Sequence, residues 1–127
     1  MIAEKFQSMV VLGIANSRMK DFYDIWVLAK RFAFEGELLA ESIKQTFGRR
    51  GTPLAAQVPL ALTDEFAQDH LKQSQWEAFL RRGQVPDRDI PLADVISGIR
   101  DLVMPPTLSL ARGKAFELHW PPGGPWK

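Results

Sequence analysis

Apolar residues at Ile2, Phe6, Met9 and Val10 recur at three- and four-residue intervals, the spacing of one helix face. They predict a first helix from Ile2 to about Ala15. Gly13 supplies a break, and Asn16 and Ser17 are N-cap candidates for the next helix. That second helix is expected from about Arg18 to Ala33, with Phe22, Ile25, Trp26, Ala29 and Phe32 as its apolar stripe. Glu35-Gly36 interrupts. Leu39, Ile43 and Phe47 then stand four apart and mark a third helix from about Glu37 to Phe47, with Gly48 as its stop.

Two prolines and no clear period make Gly51 to Leu62 a loop lying over the helices. Thr63 is a fair N-cap for a short helix whose positive end suits Asp64 and Glu65. Gln73 to Arg82 is expected to be helical, with Trp76, Phe79 and Leu80 as core, and Gly83 to Pro91 to be a polar loop. Leu92 to Met104 presents Ile96, Ile99 and Val103. Pro105-Pro106 should end this helix, because a proline lacks an amide donor and its ring clashes with the preceding turn. Beyond it, Leu108, Leu110, Phe116 and Leu118 hint at short extended pieces, and the run from His119 to Trp126 cannot be helical. Trp120 and Trp126, set between prolines, are expected to dock on the body. The expected fold is mostly α: a single helical domain of about five helices over residues 1–106, followed by an irregular Pro/Gly/Trp-rich tail over 107–127.

Composition narrows the classes. A chain of 127 residues allows one domain, burying roughly two-thirds of its unfolded surface. With 46% hydrophobic and 24% charged residues it reads as a folded globule rather than a disordered segment. A formal net charge of +1 gives neither a strong nucleic-acid field nor a polybasic membrane anchor, so RNA binding needs a local patch. The absence of cysteine excludes disulfides, thiolate metal sites and a cysteine nucleophile. With His70 and His119 the only imidazoles, a histidine-based zinc site is not expected. The apolar run from Met9 to Ala15 is too short to span a bilayer, and its helical spacing fits a globular helix, so no membrane partner and cytoplasmic residence are expected.

Charges on the first two helices break the apolar pattern. On a helical wheel Asp21 shares a face with Ile25, Leu28 and Phe32, and Asp24 sits at the edge of the same arc. Lys5 stands near Met9 and Leu12 at the border of the first helix's apolar face. A charge inside an apolar stripe costs several kcal/mol of desolvation unless it is paired or faces water. Two readings remain open on the pattern alone. Lys5, Asp21 and Asp24 point into a polar cleft between lobes, or Lys5 and Asp21 form a simple inter-helix ion pair, the aspartate being favoured in a first helical turn.

Two segments carry a family resemblance. Ala3-Glu4-Lys5 and the run Arg18-Met19-Lys20-Asp21-Phe22-Tyr23-Asp24-Ile25 resemble the third and fourth motifs of the AbiEii/AbiGii-type nucleotidyltransferase toxins, with isoleucine where the family pattern has leucine. The likeness extends more loosely through the third helix, Gly51-Thr52-Pro53, Trp76 and the Trp-Pro-Pro-Gly-Gly-Pro-Trp tail. The resemblance implies the helical C-terminal lobe of a nucleotidyltransferase-like enzyme. It implies that Lys5 contacts the phosphates of an NTP, and that Asp21, with Asp24, activates or orients the attacking group. Mg2+ and NTP are the implied cofactors of the complete enzyme, with none expected to be held by this chain alone. The implied partners are an antitoxin and a tRNA acceptor.

The family's first two motifs, a glycine-rich phosphate turn and an Asp-x-Asp metal pair, do not precede Lys5. Asp87-Arg88-Asp89 comes after the other motifs, lacks the glycine turn and lies between two prolines, so a solvated loop is expected there. The expectation is a C-terminal fragment that needs an N-terminal nucleotidyltransferase lobe for catalysis. Its alternative is a non-catalytic helical interaction module or gene remnant. With its lobe absent, the chain should expose an apolar seam near Ile2, Phe6 and Met9. Arg49-Arg50 with Lys44, and Arg81-Arg82, suit helix C-termini better than RNA contacts. A helix-turn-helix is disfavoured by the apolar second helix.

Overall fold

Helix α6 (Leu92–Ala111) is the axis on which the other elements assemble. The structure is a computed structural model that describes residues 1–83, 85–86 and 89–127. Before α6 come α1 (Ile2–Leu12), α2 (Met19–Arg31), α3 (Gly36–Arg49), the short α4 (Asp64–Gln68) and α5 (His70–Arg82). Turns of 3₁₀ helix at Gly13–Ala15 and Leu60–Leu62 join them. Two-residue strands β1 (Phe34–Glu35) and β2 (His119–Trp120) pair antiparallel, Phe34 opposite Trp120 and Glu35 opposite His119. The fold is a single helical domain, as the periodicity implied. None of its helices is long and apolar enough to cross a membrane among the described residues.

The core follows the predicted stripes. α2, α3 and α4 pack on α6, whose Val95, Ile96, Ile99, Leu102 and Val103 are buried. α1 lies on α3, with the Phe6 and Phe47 rings 5.4 Å apart. Phe22 of α2 stacks on Phe66 of α4 at 5.5 Å. The expected apolar seam is corrected by this packing: Ile2, Phe6 and Met9 are buried beneath α1 by α3 and its neighbours. Exposed apolar side chains are scattered over other elements, among them Val11, Leu12 and Ile14 around the end of α1, Leu38 on α3 and Leu71 on α5.

α1 ends at Leu12, where the expected last turn is 3₁₀ over Gly13–Ala15, and three further helix ends differ from the sequence reading, each for a backbone reason. α3 runs through Gly48 and stops at Gly51, whose φ of 62° is the left-handed conformation of a C-terminal stop. There the Thr52 amide donates to Phe47 O and the Gly51 amide to Gly48 O, the paired bonds of a Schellman motif. α6 likewise continues past Pro105-Pro106 to Ala111 and closes on Gly113, where Lys114 N–H reaches Ser109 O and Gly113 N–H reaches Leu110 O. The proline pair withholds amides from Asp101 O and Leu102 O, and the second of these carbonyls is served from outside the helix. Trp126 Nε1 donates to Leu102 O at 2.9 Å, the carbonyl that a residue-106 amide would otherwise serve, and Thr107 Oγ1 donates to Val103 O at 2.6 Å.

α2 ends at Arg31, short of Ala33, and Phe32 turns out of the helix into solvent with extended φ and ψ. The cause is again the tail. Ala29 O, which a continued helix would offer to the Ala33 amide, accepts instead from Trp120 Nε1 and the Gly123 amide, both at 2.9 Å. Trp120 is buried, and Trp126 packs edge-on against both Trp120 and Phe116. The expected docking of both tryptophans on the body is what the structure shows. At the other predicted start, Thr63 caps α4 by accepting from the Phe66 amide. α5 begins at His70 rather than Gln73, because Asp69 accepts from the Lys72 amide and caps it one turn earlier.

Candidate functional site

Lys5 stands one turn before the buried Met9 on α1, and Asp21 and Asp24 occupy the first turns of α2. The packing of α1 beside α2 brings the three together. Lys5 Nζ lies 2.8 Å from Asp21 Oδ1 and 3.1 Å from Asp24 Oδ2, and Lys20 Nζ reaches Asp24 Oδ2 at 2.8 Å. The Lys5, Asp21 and Asp24 side chains retain 21, 21 and 25% of their exposure, so the cluster is neither core nor free surface. Burial opposes the charge on Lys5, but hydrogen bonds and attraction from Asp21 and Asp24 outweigh it and raise the amine above its ordinary 10.5.

The arrangement leaves bonding capacity unused. An ammonium carries three donors, and two of those on Lys5 are engaged. Asp21 Oδ2 and Asp24 Oδ1 accept no hydrogen bond from the described residues. Asp21 also lines an open groove of about 710 Å³ between the start of α2 and the face of α5, together with Ser17, Arg18, Lys20, Gln75 and Arg82. Three cations against one carboxylate make this groove locally basic on a chain of nearly neutral charge. Asp21 and Asp24 do not fit a divalent cation as they stand. Each is taken by ammonium groups, and the described residues hold no group of three or more carboxylates and imidazoles that could bind a metal.

Other sequence candidates are placed apart from this cluster. Arg50 donates to Gln7 Oε1 at 3.4 Å, Gln7 in turn donates to Thr52 Oγ1, and Arg49 contacts Thr46 within its own helix. Arg81 lies in the last turn of α5, and Arg82 reaches back to Ala78 O while facing the groove. Of Asp87-Arg88-Asp89, the first two lie outside the described residues. The sequence reading did not single out Lys20, although its four-residue spacing from Asp24 was the visible signal. Arg18 and Arg82 as groove walls carried no such signal, because 64 positions separate them and only the fold brings them together.

No curated protein and no solved structure gave a significant match. A family model does match, over residues 1–103, which takes in α1, α2 and the whole Lys5–Asp21–Asp24 cluster. Covering most of the chain, that match shows that the protein belongs to the nucleotidyl transferase AbiEii toxin family, of the type IV toxin–antitoxin systems.

Proposed function

We propose that Lys5, Asp21 and Asp24 form the lysine–aspartate half of a nucleotidyltransferase site, which moves a nucleotidyl group from an NTP to an RNA acceptor, tRNA by the resemblance. The observation that supports this reading is the clamped but unsaturated amine of Lys5, with Asp21 shared between that amine and the basic groove. Clamping fixes the position of Lys5 and keeps it charged, so its remaining donor is preorganised for a triphosphate oxygen. In the transfer, the acceptor hydroxyl oxygen bonds to the α-phosphorus, the bond to the bridging oxygen breaks and pyrophosphate leaves. The hydroxyl proton passes to the free oxygen of Asp21. Arg18, Lys20 and Arg82 hold the acceptor's phosphates along the groove.

The glycine turn and Asp-x-Asp pair that the resemblance adds to such a site come, on this reading, from a nucleotidyltransferase lobe. An antitoxin opposes the activity in a toxin–antitoxin or phage-defence pair. The test is transfer of label from α-labelled NTP to a tRNA pool by the complete protein and by its Lys5→Met and Asp21→Asn variants. The reading requires labelling by the parent and its loss in both variants, with the helical circular dichroism unchanged. Labelling undiminished in either variant would leave the cluster as a structural ion pair and favour an interaction module.

A further inference from the structure

Lys72, in the first turn of α5, keeps only 2% of its exposure, yet it makes no salt bridge among the described residues. Its amine donates to Asn16 O at 2.8 Å and to Gln75 Oε1 at 3.2 Å, and it lies 5.4 Å from the Phe66 ring centre. Burial lowers its pKa, with Asp69 only partly opposing the shift. A charged amine in this position is a burden on stability that an apolar side chain of similar length would lift.

Its contacts are with the turn that starts α2. Asn16 keeps 1% of its exposure, and its Oδ1 accepts from the Arg18 amide at 2.9 Å. Arg18 is the N-cap of α2 and offers no side-chain cap of its own, while its carbonyl accepts from the Asp21 amide at 2.9 Å. One chain of bonds therefore runs from Lys72 through Asn16 and Arg18 to the backbone of Asp21. It also ties the two walls of the basic groove, since Ser17 to Asp21 form one wall and the α5 residues beyond Lys72 the other.

We infer that Lys72 is a positioning residue for Asp21: by holding the Asn16–Arg18 turn it fixes where α2 begins and how Asp21 meets Lys5 and the groove. The inference rests on the transferase reading for its catalytic consequence, but its geometric content is separable from it.

The experiment uses the complete protein, nucleotidyltransferase lobe included, and its Lys72→Met variant, with three readouts. Amide hydrogen exchange tracks α2 against α3 and α6. Acylation of each lysine by a small active ester is quantified by peptide mass spectrometry. Transfer kinetics are resolved into kcat and the KM for NTP. Lys72→Met is expected to speed exchange at Arg18 to Asp21 while α3 and α6 keep their protection. Lys5 acylation should rise by up to roughly fivefold, the worth of a loosened, partly exposed ion pair. The value of kcat should fall with KM unchanged.

Unchanged Lys5 acylation and α2 exchange would overturn the inference. So would faster exchange throughout, which would make Lys72 a general structural residue. If Lys72→Met does not fold, Asn16→Ala, which removes only the bond to the Arg18 amide, is judged by the same outcomes. Absence of transfer in the parent would defeat the transferase reading and leave the exchange and acylation results to decide the positioning claim.

Discussion

Trp126 supplies the hydrogen bond that Pro106 cannot. The carbonyl of Leu102 lies four residues before Pro106, and it accepts from the Trp126 indole at 2.9 Å. A proline inside a helix normally forfeits this bond and distorts the turn. Here a side chain 24 positions away along the sequence restores it. Trp126→Phe keeps most of the ring packing but leaves the carbonyl unpaired, and should cost about 1–3 kcal/mol in urea denaturation. In a Pro106→Ala background, which returns the amide, the same substitution should cost less. Equal costs in the two backgrounds would separate the tryptophan from the proline.

The Lys5 cluster separates function from stability. Its side chains are about a fifth to a quarter exposed, so the pairs should contribute less than about 1 kcal/mol each to folding. A lysine–phosphate contact made in the transition state is worth about 1.5–3 kcal/mol, or roughly ten- to a hundredfold in rate. Lys5→Met should therefore lower the transfer rate by that factor while shifting the urea midpoint only slightly. A large midpoint shift with no kinetic change would reverse the assignment.

The alkaline limb of stability carries the signature of the same amine. Because the fold raises the pKa of Lys5, its contribution is fully present below the unfolded value of 10.5 and is lost as the pH climbs through the higher folded value. The stability difference between the parent and Lys5→Met should be constant up to about pH 9 and should close above about pH 10.5. Urea titrations at stepped pH measure it. A difference that stays constant through pH 11 would mean that Lys5 is not held by its carboxylates.

The start of α3 admits no side chain. A β-carbon on Gly36 would stand 2.6 Å from both Leu118 O and the Phe116 ring, and the Gly36 amide donates to that same Leu118 oxygen at 2.8 Å. Gly36→Ala should push the tail off α3 and cost about 1–3 kcal/mol, the range for overpacking a well-filled site. Thermal denaturation of the purified variant tests this, and an unchanged midpoint would show that the tail yields freely.

Much of this architecture is legible in the residues. The stripes Phe6–Met9, Phe22–Ile25–Ala29 and Leu39–Ile43–Phe47 each bury as spaced, because local periodicity decides which face of a helix meets the core. The meeting of Lys5 with Asp21 and Asp24 was legible too, since charges out of pattern on neighbouring helices need partners. The end of α2 at Arg31 and the passage of α6 through Pro105-Pro106 were not. They depend on hydrogen bonds from Trp120, Gly123 and Trp126, and no local window contains both donor and acceptor. Lys72 was hidden for the same reason: the residue it holds, Asn16, lies 56 positions away.

The bond from Trp120 to Ala29 closes a span of 91 residues, which has a kinetic consequence. Closing so long a loop is entropically expensive, and its reward comes only after the helices between have found their places. Docking of the tail should therefore be a late step in folding and an early one in unfolding. Brief undocking would free the C-terminal turn of α2 while the buried face of α6 stays closed. A helix that carries Asp21 at one end would then have its other end governed by a late-forming contact.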